Sequence, residues 1–127
     1  MQVLKKLALS VLMVGLSANV FAVEVTAATA EKIAAAAAGT IEKIQEAVNL
    51  ADQKGNKEEI VKLINDARQL QKEFRYEITE RQRQKSNDRL RIARDSFESG
   101  DIATAETKLK EALAGFTEMK ATYDSNH

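Results

Sequence analysis

The sequence predicts an all-α protein, an up-down-up-down four-helix bundle built from two diverged helical hairpins. The chain has no proline and only five glycines, so little in it interrupts a helix. Apolar residues recur at spacings of three and four, which places them on one face of a helix. Two glycine–polar pairs, Gly55-Asn56 and Gly100-Asp101, divide this pattern at points 45 residues apart. Glycine is common just after a helix, and Asn and Asp are common caps of the next one.

The predicted helices cover residues 29–54, 57–77, 80–99 and 102–123. At the first turn we expect Gly55 to adopt the left-handed conformation and Asn56 to cap the second helix. Glu59 follows Asn56 at the spacing from which its carboxylate can reach back to the cap. Gly100 and Asp101 repeat this arrangement before the fourth helix. The chain therefore reverses direction at both pairs.

A shift of 45 residues superimposes the two hairpins, and it places Ala67 on Ala112 and most apolar positions of one hairpin on those of the other. The apolar stripes must face each other to leave water, which is the arrangement of a bundle. The stripe residues are Ile41, Ile44, Val48 and Ala51 in the first helix, Ile60, Ile64, Ala67, Phe74 and Ile78 in the second, with a polar lapse at Gln71, then Leu90, Ala93 and Phe97 in the third, and Ile102, Ala105, Leu109, Ala112, Phe116, Met119 and Tyr123 in the fourth.

The turn between the second and third helices contains no glycine or proline. One helix spanning both would be roughly 65 Å long, which is too long for a compact bundle. Thr79 followed by Gln82 fits a capping box, so the sequence predicts a break near Ile78-Thr79. A rival break lies at Ser86-Asn87. We prefer the first position because it makes the second helix about as long as the fourth.

The N-terminal segment predicts a signal peptide. Two lysines precede an apolar run, LALSVLMVGL, that is too short to span a membrane. Small residues at positions 20 and 22 fit cleavage after Ala22, and the alternative is an uncleaved anchor. We therefore expect residues 1–22 to be removed, residues 23–28 to form a flexible N-terminus, and residues 29–127 to fold as one domain in the periplasm, without stable membrane insertion.

Composition excludes several classes of function. Without the signal peptide the chain carries 17 basic and 19 acidic residues, a balance that does not suit a nucleic-acid-binding protein. Cysteine is absent, which excludes disulfides and thiolate metal sites. His127, the only histidine, is the last residue, and no glycine-rich phosphate loop occurs. We therefore expect a protein that is not an enzyme.

Two kinds of side-chain group suit a divalent metal. Asp124, Asn126 and His127 lie together at the C-terminus, where they could bind copper(II) or nickel(II) weakly. Pairs of glutamates at positions 42 and 46, and at 73 and 77, have the spacing that brings two carboxylates to one helix face, and carboxylates suit hard cations. Basic residues near these glutamates make ordinary surface ion pairs the competing interpretation.

The third helix is unusually basic. The segment from Arg75 to Arg94 contains seven basic and three acidic residues, which gives it a net charge of +4. A basic surface on an otherwise acidic protein could contact a phospholipid headgroup or the acidic face of another protein. The competing interpretation is a helix face that meets only solvent. We predict the contact residues to be Arg81, Arg83, Lys85, Arg89 and, off the apolar stripe, Tyr76.

The two turns read KGNKEEIVKLINDARQLQK and SGDIATAETKLKEALAGF. With an export signal before them, they resemble the small metal-binding protein (SmbP) family of periplasmic four-helix bundles, over about residues 40–124. The resemblance implies a small monomeric bundle that buffers divalent metals, notably copper, through histidines along its helices. At the helix positions where such histidines would be expected, this chain carries other residues, namely Asn56, Leu63, Leu70, Asp101 and Lys108. The resemblance therefore transfers the fold and none of the metal ligands.

Two hypotheses follow. In the first, the chain is a protein of SmbP type that holds a divalent metal such as copper weakly, through carboxylates or the C-terminal group. In the second, it is a metal-free periplasmic interaction protein whose basic third helix contacts an acidic partner. The sequence leaves the oligomeric state open between a monomer and a weak dimer.

Overall fold

The fold was analysed in a computed structural model, which describes the backbone from residue 17 and the side chains from residue 29 to the C-terminus. Its helices are α1 (Ser17–Asp52), α2 (Lys57–Leu70), α3 (Glu80–Ser99) and α4 (Ile102–Ser125). Two short 3-10 helices, Gln71–Glu73 and Glu77–Thr79, lie between α2 and α3. Helix α1 packs against α2 and α4, and α3 packs against α4, so the predicted all-α four-helix bundle is confirmed.

The chain divides into two units after Glu31. In the first unit the described backbone is helical from Ser17 onward. Residues 23–28 are therefore part of α1, and their predicted flexibility stays a prediction. These residues contain neither glycine nor proline, so nothing local stops the helix. The predicted signal peptide lies largely outside the described residues, and its removal stays a prediction. No helix in the described part of the chain is long and apolar enough to cross a membrane.

The second unit, Lys32–His127, contains one hydrophobic core. All four predicted stripes contribute to it, and complete burial of a large apolar side chain stabilises the fold by about 1.5–3 kcal/mol. The larger buried side chains are Ile44, Val48, Ile60, Ile64, Phe74, Leu90, Phe97, Leu109, Phe116, Met119 and Tyr123. Ala67 and Ala112, which the 45-residue repeat superimposes, are both fully buried.

The two interhelical turns carry the predicted N-caps. The Asn56 side chain accepts a hydrogen bond from the backbone N–H of Glu59 (3.0 Å), and Asp101 accepts one from Thr104 (3.3 Å). Gly100, with φ of +88°, follows α3 in the left-handed conformation. These bonds satisfy donors at the start of each helix that have no partner within it.

The first turn reaches the same geometry one residue earlier than predicted. Lys54, with φ of +56°, is the left-handed residue, and Gly55 is not. The N–H of Gly55 donates to the Leu50 carbonyl (2.7 Å), and that of Lys54 donates to Ala51 (3.0 Å), which is the bond pair of a Schellman motif. Space at Gly55 is tight, since a Cβ there would lie 3.0 Å from Leu50 Cδ2 and 3.1 Å from the Leu50 carbonyl oxygen.

Helix α2 ends at Leu70, whereas the apolar stripe predicted a helix to residue 77. Beyond the first 3-10 helix the chain becomes extended, with φ of −145° and ψ of 118° at Tyr76. Alternate residues of an extended chain point to the same side. Phe74 and Tyr76 accordingly both pack edge-on against Tyr123, with ring centroids 6.4 and 5.1 Å away. Ile78 lies in the second 3-10 helix, where this alternation ends, and is 69% exposed, so its predicted place in the core is wrong.

Helix α3 begins at Glu80, next to the predicted break, but the predicted capping box is wrong. The Thr79 hydroxyl donates to the Tyr76 carbonyl (3.3 Å) and caps nothing. Gln82 donates to the Glu118 carboxylate on α4 (2.6 Å). The rival break at Ser86-Asn87 lies inside α3.

Helices α3 and α4 are in close contact at Ser86 and Gly115. Both residues are buried, and a Cβ built on Gly115 would lie 2.2 Å from Ser86 Oγ. The Ser86 hydroxyl has no hydrogen-bond partner among the described residues. Glycine at 115 is therefore what permits this spacing of the two helices.

Replacing Lys54 with glycine is expected to stabilise the protein by about 0.5–1 kcal/mol, because a left-handed conformation strains a residue that has a Cβ. Gly100→Ala is expected to destabilise it by about 1 kcal/mol for the same reason. Urea unfolding followed by circular dichroism measures both changes. A Lys54→Gly variant that is no more stable than the parent would contradict the positive φ at this turn.

Gly115→Ala is expected to lower the free energy of unfolding by about 1–3 kcal/mol, because the new methyl group overlaps Ser86 Oγ. Ser86→Ala alone is expected to be nearly neutral, since its hydroxyl has no described partner. In the Ser86→Ala background, Gly115→Ala should cost less, because the nearest remaining atom, the Cβ at 86, lies 3.3 Å away. A double-mutant cycle in urea tests this, and an equal cost in both backgrounds would exclude the contact as the cause.

Candidate anion-binding surface

The basic and amide side chains of α3 lie on two flanks of the helix, separated by the buried stripe. One flank faces α4, where Arg89 Nε lies 3.5 Å from Glu111 Oε1. The other faces α2, where Asn87 Oδ1 accepts a hydrogen bond from Arg68 Nε (3.2 Å). Of the predicted contact residues, Arg89 lies on the first flank, whereas Arg83 donates to Gln71 on the second, so the set is not one continuous surface.

Arg83 is committed within the fold. Its side chain is only 12% exposed, and it pairs with Glu80. Its Nη1 also donates to Gln71 Oε1 (2.6 Å), while Gln71 Nε2 donates to the Arg68 carbonyl (2.8 Å). These bonds explain the polar lapse in the apolar stripe of α2: Gln71 is buried because both ends of its amide have partners.

Glu80 connects this network to the solvent. Arg83 Nε donates to Glu80 Oε1 (3.1 Å), and Arg75 Nε lies 3.5 Å from the same oxygen. The hydrogen bond from Arg83 is the largest influence on the pKa of Glu80 and holds it below the ordinary value. Partial burial raises this pKa, and the charges of Arg83 and Arg75 lower it further.

Arg81 and Lys85 are the exposed members of the predicted set. Neither has an ion-pair partner among the described residues. They lie one helical turn apart on α3, and Arg89 follows Lys85 by one more turn, half-buried beside Glu111. The part of the predicted surface that is free to meet a partner is thus Arg81 and Lys85, with Arg89 at its edge.

Tyr76 packs on the core, whereas the sequence analysis placed it on a contact surface. Its ring meets the edge of Tyr123 at 5.1 Å and that of His127 at 5.3 Å between centroids. The side chain is half-buried. The extended backbone at residue 76 turns this ring inward, and the helical period assumed from the sequence does not hold there.

Two members of the predicted C-terminal metal group are hydrogen-bonded within α4 or just beyond its end. Asp124 Oδ2 accepts from Lys120 Nζ (2.6 Å), and Asn126 Nδ2 donates to the Thr122 carbonyl (2.7 Å). These bonds fix both side chains on their own helix end and leave Oδ1 of each without a described partner.

The third member, His127, stacks on the ring of Tyr123 with centroids 3.9 Å apart. Its Nδ1 lies 2.8 Å from the Tyr123 carbonyl. From residue 29 onward, no three His, Cys, Asp or Glu side chains lie close enough to share a metal ion. The glutamates at 73 and 77 do not share a helix face either, because the helix is broken between them, and Glu73 pairs with Lys32 (3.0 Å). These residues do not fit the divalent site that the family resemblance implies.

A cleft between α2 and α3 was not predicted from the sequence. Its volume is about 190 Å³. It is lined by three cationic and four amide side chains and by no acidic one, namely Arg68, Lys72, Arg94, Asn65, Gln69, Gln71 and Asn87. The only signal in the sequence was the spacing of Arg68 and Lys72, which places both on one side of the second helix. That spacing does not tell which neighbouring helix they face.

Arg68 lies in a positive field. Burial, followed by the charges of Arg94 and Arg91, lowers the pKa of its guanidinium. An arginine stays protonated in proteins, so this shift reflects burial first and repulsion second, with no loss of charge. Arg94 pairs with Asp95 (2.9 Å), and Arg91 pairs with Asp88, so part of the cationic charge is neutralised on the solvent side of α3. The cleft itself keeps an excess of positive charge.

Glu80→Gln is expected to lower the free energy of unfolding by about 0.5–1 kcal/mol at neutral pH, since the pair is partly exposed and screened. Because the pKa of Glu80 is lower in the folded chain, its contribution is complete above the unfolded value of about 4.3 and is lost as the pH falls through the folded one. Urea unfolding of both proteins between pH 7 and about pH 2.5 should show the difference shrinking.

The control is Glu98→Gln, which removes an exposed carboxylate of the same helix that has no described ion pair. It should change the stability by less than about 0.5 kcal/mol throughout. A Glu80→Gln effect that is independent of pH would show that the carboxylate charge is not its source.

No protein-family model, curated protein or solved structure matches the chain. The resemblance to the small metal-binding protein family therefore rests on the two turns and the length of the hairpins.

Proposed function

We propose that the protein is a small, non-catalytic binding protein of the periplasm that contacts an acidic protein partner through the exposed cations of α3. The observation that carries this proposal is the position of Arg81 and Lys85. Both are exposed on the same side of the helix, and neither has an acidic partner among the described residues. Cations placed in this way are available to carboxylates of another molecule.

The chemistry of such a surface sets the kind of binding. An exposed ion pair contributes about 0–1 kcal/mol, so two or three cations give a weak contact. Their field acts mainly on the rate of encounter, and salt screens it. The proposed association is therefore transient and strongly dependent on ionic strength. Arg83 stabilises the start of α3, which carries these cations. It donates to Gln71, before α3, and pairs with Glu80, the first residue of the helix.

The geometry gives less support to the hypothesis of a bound divalent metal. The resemblance to the small metal-binding protein family motivated that hypothesis, together with Asp124, Asn126 and His127. All three side chains make bonds or ring contacts within the fold, and they offer one imidazole at most. Copper(II) favours nitrogen ligands, so these groups are a poor set for it.

The proposal predicts that the protein binds fluorescein-labelled poly-L-glutamate, a model acidic polypeptide, at low ionic strength. The binding, measured by fluorescence anisotropy, should disappear in about 1 M salt, where the screening length is about 3 Å. Arg81→Glu combined with Lys85→Glu should weaken it by at least about tenfold, because two attractive contacts become repulsive.

The matched control is Lys43→Glu with Lys57→Glu, which makes the same change in net charge on other helices. It should leave most of the binding intact. An equal loss in both double variants would show a general charge effect and contradict a surface on α3. A saturable titration with Cu(II) that shifts the NMR signals of His127, in a protein that does not bind poly-L-glutamate, would favour the metal hypothesis instead.

A further inference from the structure

We propose that the cleft between α2 and α3 binds one phosphate group, either inorganic phosphate or the terminal phosphate of a small monoester. The site uses Arg68, Lys72 and Arg94, with the amide of Asn87 beside them. It lies on the flank of α3 that faces α2, whereas Arg81 and Lys85 lie away from the cleft. The proposal is therefore independent of the proposed acidic partner.

The cleft offers hydrogen-bond donors from α2, from the 3-10 helix that follows it and from α3. Arg68 donates through Nε to Asn87 Oδ1, and no described residue accepts from its two Nη atoms. Arg94 uses Nε and Nη2 on Asp95, which leaves Nη1. Lys72 has no described ion-pair partner. These side chains line a space that no carboxylate lines, so the charge nearest to an anion in it is positive.

The electrostatics of the empty cleft favour an anion. Burial and then the nearby charge of Arg94 lower the pKa of the Arg68 guanidinium. Asp95 and Asp88 offset this repulsion only in part, since they pair with Arg94 and Arg91. An oxyanion between α2 and α3 would neutralise the remaining charge and join the helices at a place where they are otherwise linked by the bond from Arg68 to Asn87.

The size and donor arrangement suit phosphate better than a carboxylate. A volume of about 190 Å³ admits a compact group and excludes a large ligand. Three cationic side chains from α2, the following 3-10 helix and α3 line the cleft, and a phosphate presents at least three acceptor oxygens in different directions. A carboxylate has two oxygens in one plane, which match a single guanidinium fork. The dianionic charge of phosphate also balances more of the excess positive charge.

The test is isothermal titration of the purified protein with sodium phosphate, with sodium chloride at matched ionic strength as the blank. We expect saturable binding of one phosphate per chain. Arg68→Gln with Arg94→Gln should weaken it by at least about tenfold, because two charge-assisted contacts are lost. Arg81→Gln with Lys85→Gln removes the same charge outside the cleft and should leave phosphate affinity unchanged.

Two further measurements keep the proposal falsifiable if the cleft variant does not fold. Backbone amide NMR of the unaltered protein should show phosphate-induced shifts within residues 65–72 and 87–94. Lys72→Gln, at an exposed position, should weaken binding without affecting the fold. Shifts confined to other parts of α3 and α4 would overturn the proposal.

The specificity of the site supplies the remaining outcomes. Glycerol phosphate should compete with inorganic phosphate, and succinate at the same charge should not. Equal binding of succinate would contradict recognition of a tetrahedral group. Binding to phosphatidylglycerol vesicles that free phosphate does not displace would show a membrane-surface interaction and would also contradict it. Loss of phosphate binding in the Arg81 and Lys85 variant would reject the cleft while leaving the acidic-partner proposal untouched.

Discussion

The close contact between Ser86 on α3 and Gly115 on α4 is the constraint on which the arrangement of this bundle depends. Helix α3 buries only three apolar side chains, Leu90, Ala93 and Phe97, so it has little hydrophobic area with which to hold its position. A neighbour without a side chain lets it approach α4 closely enough for those three to reach the core. This contact fixes the rotation of α3 about its own axis. The rotation in turn determines which flank of α3 each of its other residues occupies.

The division of the basic residues into two surfaces follows from that rotation. Arg89 falls on the side of α4 and meets Glu111, while Asn87 and Arg94 fall on the side of α2. Helix α3 is polar over much of its circumference. It stays folded because both of its flanks make ion pairs or side-chain hydrogen bonds with neighbouring helices. The candidate sites consist of the positive charges that these interactions do not neutralise. They are the exposed cations on one side of α3 and the cleft with excess positive charge on the other.

Sequence reasoning reached the fold because the helical period and the caps are local properties. Asn56 and Asp101 cap α2 and α4 as expected, and α3 begins next to the predicted break. It failed at the end of α2, where Phe74 and Tyr76 both find Tyr123 on α4. A contact with a distant helix stabilises the extended conformation there, and no local pattern in the sequence reports that contact.

The candidate site was harder to predict, because the sequence shows the charge of each side chain but not the residue with which it forms an ion pair. The excess of basic residues on α3 was visible, but the burial of Arg83 against Gln71 was not. The lapse at Gln71 was a signal of that contact, since a polar residue within an apolar stripe requires a partner when it is buried. The cleft depends on Arg68 and Arg94 together, and only the packing of α2 on α3 brings these two residues to one place.

The left-handed lysine in the first turn has a consequence for the dynamics of the molecule. Opening the turn at Lys54 releases backbone strain, whereas opening the turn at Gly100 releases none. Of these two turns, the one between α1 and α2 is therefore expected to open at the lower free-energy cost. A protease that cleaves after lysine would meet its target residue at that point. The cut would separate α1 from a chain that still joins α2, α3 and α4.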